Sequence, residues 1–103
     1  MKTRKTMFKL YVPILMSIYD YSNPAEVLKN ARNMGLEITL STRKDKKYMV
    51  NDGNKWIHFG QMGYADYSKH KDKKRRDLFR KRNHKWADAD PFSPAFLSYY
   101  LLW

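Results

Sequence analysis

LEITLSTRKDKKYMVNDGNKWIHFG, residues 36–60, is the stretch that decides the fold class. Leu36, Ile38 and Leu40 alternate with Glu37, Thr39 and Ser41, the period-two pattern of a half-buried strand. RKDKK reads as a turn leading into a second strand at Tyr48-Met49-Val50. Asn51-Asp52-Gly53-Asn54 contains Asp-Gly, a strong short-range hairpin signal, and feeds a third strand over Lys55 to Phe59. Gly60 and Gly63 end the unit. The segment therefore predicts a short antiparallel β-meander.

A helix precedes it. Asn23 suits the N-cap, Pro24 the first helical position, and Glu26 stands three residues after the cap, as in a capping box. Val27, Leu28, Ala31 and Met34 form an apolar stripe at helical spacing, and Gly35 supplies the stop. A meander with this helix packed on it is a small single α+β domain. At 103 residues and 12.4 kDa one domain is expected. With 43% hydrophobic and 16% aromatic residues the chain can form a modest core.

Further out, residues 1–22 read as a basic tail, MKTRKT, followed by an extended docking arm; the α+β domain then occupies residues 23–103. Val12, Ile14 and Ile18 favour extended backbone and Pro13 forbids a regular helix. The uncharged run LYVPILMSIY, after Lys2, Arg4 and Lys5, imitates a signal peptide, but Pro13 interrupts it and no small-x-small cleavage site follows. It is far short of the ~20 apolar residues that span a bilayer, so no transmembrane segment is expected. The chain has no cysteine, which excludes disulfides and thiolate metal sites and favours a reducing compartment or an assembly supported by partners.

Charge is the strongest functional signal. Ten of the 21 Lys and Arg residues lie in residues 69–85, KHKDKKRRDLFRKRNHK, opposed only by Asp72 and Asp77, so this segment carries +8 of the formal +11. Its composition predicts a basic helix over about 69–85, with only Leu78, Phe79 and an earlier Tyr67 to pack. Lys73, Lys74, Arg75, Arg76, Arg80, Lys81, Arg82 and Lys85 are the candidate contacts to phosphates or to an acidic protein surface, and Tyr67, Phe79 or Trp86 are available to stack on bases. A solvated charged helix without a dedicated partner is the plainer alternative.

The C-terminal segment PAFLSYYLLW is apolar and aromatic, with Ser93 and Pro94 placed to start a short helix. Phe96, Leu97, Tyr100, Leu101 and Trp103 are either core or an assembly anchor entering a groove on a neighbour. Catalytic signals are poor. Asp66 and His70 are an i, i+4 pair, but no Ser, Cys or third ligand completes a triad or zinc site, and Gly60 with Gly63 is no phosphate-cradling motif. The chain reads as a non-enzyme with no catalytic residue, no metal site, no cofactor and no small-molecule substrate.

HFG at His58–Gly60, Gly63-Tyr64-x-Asp66-Tyr67, HKD at His70–Asp72, the basic segment and the terminal Leu101-Leu102-Trp103 give an order of residues that resembles a family of small basic proteins of large nucleocytoplasmic DNA viruses. Ala95-Phe96-Leu97-Ser98 departs from the Gly-Phe-Trp-Ser of that pattern, and Asn83-His84 from its Arg-His. The resemblance implies a viral, virion-associated or nucleic-acid-associated role and brings no catalytic residues. Two readings follow. One is a minor capsid or cement-type protein, located in the virion and, during assembly, in host cytoplasm or viral factory, that fastens other capsid proteins. The alternative is a viral nucleic-acid-binding or packaging protein using the basic helix.

Overall fold

The computed structural model describes residues 17–103. The basic tail and most of the expected arm lie outside the described residues. Where the arm enters the domain, Ile18–Asp20 is one turn of 3-10 helix, with the Ser17 hydroxyl accepting from the Tyr19 amide. Ser22 is already buried, and its hydroxyl lies 2.7 Å from the Tyr48 hydroxyl.

Helix α1 spans Pro24–Asn33, with Asn23 as N-cap accepting from the Glu26 amide and Pro24 opening the first turn. The reciprocal half of the expected capping box is replaced by two longer-range contacts. The Asn23 amide donates to Ser68 Oγ at 2.9 Å, and the Glu26 carboxylate pairs with Lys71. Val27 and Ala31 are completely buried, whereas Met34 at the end of the stripe is exposed. Gly35 follows at φ +76°, a conformation that favours glycine at a helix end.

The meander forms as expected, with strands β1 (Glu37–Leu40), β2 (Lys46–Asn51) and β3 (Trp56–Gln61) in antiparallel order β1-β2-β3. Ile38 faces Val50 across the first pair, and Tyr48 faces Phe59 across the second. The Asp-Gly turn holds its shape through side chains. Asp52 Oδ1 accepts from the amides of Asn54 and Lys55, both at 2.8 Å, and Gly53 takes φ +101°. These two amides hold the Asp52 carboxyl below its ordinary range. The boundaries differ from expectation: Lys46 and Lys47, read as turn, begin β2, with Lys47 buried; Asn51, also read as turn, ends it; and β3 starts at Trp56 and runs through Gly60 to Gln61 instead of spanning Lys55 to Phe59.

After β3 come α2 (Tyr67–His70), α3 (Lys73–Arg82), a 3-10 turn at His84–Asp88, and α4 (Pro94–Leu97), which runs on as a π-helical turn at Ser98–Leu102. Ser93 caps α4 by accepting from the Phe96 amide. Leu97, Leu101 and Leu102 join Val27, Ala31, Tyr48, Val50 and Phe59 in one buried cluster, flanked by Ile18, Leu36, Ile38, Ile57, Phe92 and Trp103. The core is therefore a sandwich of α1, one sheet face and the C-terminal turns. The α+β class is as the sequence predicts. No helix among the described residues is long and apolar enough to cross a membrane.

Candidate polyanion-binding face

The basic segment is two helices, not the single helix expected over about 69–85. Lys71 breaks it in the left-handed region at φ +56°, and Asp72 starts α3 by accepting from the amides of Lys74 and Arg75. An aspartate that satisfies two free amides at a helix start is worth more there than inside a continuous helix. The Asp72 amide in turn donates to His70 Nδ1 at 2.9 Å, and the Lys71 ammonium pairs with Glu26 on α1. Asn83 ends α3, with its backbone and side-chain N–H groups both donating to the Phe79 carbonyl.

Helix α3 docks through a stripe at helical spacing, Arg76, Phe79, Arg80 and Asn83, all partly buried. The Phe79 ring stacks on Trp103 at 4.2 Å and 7°, and meets Trp86 nearly at right angles at 5.7 Å. Arg80 donates from Nη2 to the Trp103 carbonyl at 2.7 Å, with its guanidinium 5.8 Å from the Tyr99 ring centre. Arg76 lies 4.9 Å over the Tyr67 ring and pairs with Asp77. Two of the eight candidate cations, Arg76 and Arg80, therefore fasten the helix to its own domain. Their planar guanidinium groups do what an aliphatic stripe would otherwise do.

Lys73, Lys74, Arg75, Lys81, Arg82 and Lys85 remain exposed, and among the described residues none of them forms an ion pair. They divide by position. Lys73 opens α3, Lys74 and Lys81 stand one turn either side of the half-exposed Leu78, Lys85 lies in the 3-10 turn that follows, and Arg75 and Arg82 border a pocket of about 350 Å³. Its other walls are Lys47, Gly60, Gln61 and Tyr64 near the end of β3, with Phe79, Trp86, Leu102 and Trp103. Among the described residues no acidic side chain lines it. Glycine is favoured at this wall: Gly60 has φ +82°, and a Cβ there would stand 3.0 Å from Leu102 Cδ1 and 3.2 Å from Lys47 Cβ.

The sequence gives little notice of Lys47. Its side chain is 2% exposed, and its ammonium donates to Asp66 at 3.0 Å and to the Tyr64 carbonyl at 2.6 Å. Asp66 also accepts from Ser68, whose hydroxyl lies 3.1 Å from that of Ser22. Burial pulls the Lys47 ammonium below its ordinary range, partly offset by Asp66, and burial pushes the Tyr48 hydroxyl up. This chain of contacts pins residues 21–22 and 64–68 to the sheet. Its only trace in the sequence is a lysine adjoining a strand, which is common in turns.

The histidines serve local structure. Asp66 and His70 meet through backbone alone, the His70 amide donating to the Asp66 carbonyl at 3.1 Å. His58 Nδ1 lies 2.7 Å from Ser41 Oγ on the far side of the sheet, and His84 is exposed. Burial and the neighbouring Arg75 pull the His70 imidazole below its ordinary range. Among the described residues no three His, Asp or Glu side chains group as metal ligands.

The expected assembly anchor is corrected for two of its members. Leu97 and Leu101 are sealed inside the chain's own core, because α4 and its π-helical extension lie against both β3 and α1. Trp103 is half-buried against Phe79 and His70. Phe96 packs on Tyr100 at 4.5 Å, and Tyr100, 44% exposed, is the most accessible of the five.

A family model described as "Family of unknown function (DUF5754)" matches residues 36–83, from the start of the meander through the whole of α3. Comparison with curated proteins and with solved structures finds no match to either.

Proposed function

We propose that this protein is a non-enzymatic binder of polyanions, nucleic acid foremost, and that α3 with the turn after it is its contact surface. The observation that carries the reading is the set of six exposed cations, on α3 and the turn after it, that form no ion pair among the described residues, while other side chains do the packing. Like charges crowded along one short helix repel one another, and a row of phosphates relieves that repulsion while releasing condensed counterions. Contacts of this kind give affinity and salt dependence without sequence preference. The break at Lys71 supports the reading, since it turns the start of α3 without committing the lysines that follow.

The virion-fastening reading keeps a specific observation of its own. Leu78, Tyr64 and Tyr100 are large exposed side chains near the basic face, and aromatic residues beside arginine are favoured where proteins assemble. An acidic capsid surface would meet the same cations, with other virion proteins as partners and the virus particle or its site of assembly as location.

The test is binding to duplex DNA over a range of salt. Replacing Lys74, Lys81, Arg82 and Lys85 by Gln is expected to reduce the slope of log affinity against log salt by ~3–4. Replacing Arg76 and Arg80 instead is expected to affect folding more than slope. An unchanged slope in the fourfold variant would remove phosphates from the proposal and leave an acidic protein surface as the partner.

A further inference from the structure

We propose that the pocket beside α3 receives one unpaired base of a single-stranded nucleic acid, with the adjoining phosphates held by Arg75 and Arg82. This rests on the polyanion reading and narrows it from any polyanion to an open strand with accessible bases.

The walls supply what a base requires. Phe79, Trp86 and Trp103 form a contiguous aromatic surface, and base–aromatic stacking is tolerant of sequence because every base has a π-face. The platform is already fixed before any ligand arrives. Phe79 lies flat on Trp103, whose backbone carbonyl is held by Arg80 at 2.7 Å, so little side-chain freedom is lost on binding. The volume of about 350 Å³ lies at the low end of the range for small-molecule sites, ~300–1,000 Å³. That suits one nucleotide.

The charges are placed to match. Arg75 and Arg82 are seven residues apart on α3, two helical turns or about 10 Å along its axis. Both are exposed, both border the pocket, and neither is engaged by a carboxylate among the described residues. Among the described residues the lining contains no acidic side chain, while Lys47, Arg75 and Arg82 are part of it. A duplex keeps its bases stacked inside and offers the pocket none without flipping one out.

The experiment compares a short oligothymidylate with an abasic oligodeoxynucleotide of the same length, titrated into the full chain at one salt concentration. The expected result is that the thymidylate binds about 5- to 150-fold more tightly. Trp86→Ala is expected to bring the two affinities within about threefold of each other. Independently of any variant, thymidine monophosphate added to the wild-type chain should move the indole N–H resonances of Trp86 and Trp103 and leave that of Trp56 in place. Equal binding of the two strands by the wild type would overturn the pocket and leave the polyanion reading standing. Movement of Trp56 alone would overturn the assignment to this pocket. Binding of neither strand would overturn both readings together.

Discussion

Helix α3 and the C-terminal turns lie side by side, and they hold to the domain by opposite means. No residue of α3 is fully buried, and it is fastened by two arginines, one phenylalanine and an asparagine. The C-terminal turns insert Leu97, Leu101 and Leu102 into the core. Both segments look like binding elements in the sequence, one by charge and the other by apolar richness. The comparison shows that an apolar segment in a small chain is claimed first by its own core, since burying each leucine stabilises the fold by roughly 1.5–3 kcal/mol. A dense run of cations has no such claimant and stays at the surface.

The largest effect that would break this contrast lies in the leucines. Leu101→Ala and Leu102→Ala are each expected to cost about 2–5 kcal/mol. The double variant should therefore lose most of a stability that is ~5–15 kcal/mol for ordinary domains. Urea unfolding checks it, and a double variant with the wild-type midpoint would take both leucines out of the core and return Leu101 to the role of an external anchor. A smaller effect is expected at Gly60, where the sheet meets Leu102. Gly60→Ala places a methyl against Leu102 and Lys47 in a backbone conformation that alanine tolerates poorly, with an expected cost of about 1–3 kcal/mol. Thermal melting would show it, and an unchanged melting temperature would mean that this wall yields.

Arg80 and Arg82 sharpen the comparison within α3 itself. Arg80→Gln removes the bond to the Trp103 carbonyl and is expected to destabilise the domain by about 1–2 kcal/mol. Arg82→Gln should stay within ~0.5 kcal/mol of the wild type and act on binding instead. Equal stability losses at both positions would show that the division of α3 into a fastening face and a free face is wrong.

The smallest effect concerns acidification. Because burial and Arg75 lower the His70 pKa in the fold, the unfolded chain binds the proton more readily. Stability from this group is complete above the ordinary histidine pKa of ~6.5 and falls as pH drops through and below it. His70→Gln should flatten the difference in melting temperature between pH 7.5 and 5.5. A variant with the same pH dependence would assign that loss to other groups.

The meander and α1 were legible because their signals are local. Alternation, Asp-Gly, the Asn23 cap and the glycines each act within a few residues. The C-terminal helix start at Ser93-Pro94 was legible for the same reason. Three features were not. The break at Lys71 is marked only by the Asp72 cap, hidden in a run of cations, and nothing nearby announces that the Lys71 ammonium pairs with Glu26, 45 residues earlier. Lys47 looks like a turn lysine until Tyr64 and Asp66 come round to meet it. The docking stripe of α3 is hidden because two of its four residues are arginines, indistinguishable in composition from those that face water. The candidate cations were all identifiable from sequence, but their division between fold and ligand depends on which rings lie beneath them.

The position of α4 in the chain has a consequence for synthesis. The sheet ends at Gln61, while the helix that covers it begins at Pro94. At ~5–20 residues per second, the ribosome leaves the Tyr48–Val50–Phe59 face without that cover for a few seconds in every molecule made. During that interval the nascent chain presents apolar surface and unpaired strand edges, the features that invite aggregation or a chaperone. Net charge opposes association between chains, and the segment that carries +8 of the formal +11, residues 69–85, lies between the sheet and the leucines in order of synthesis.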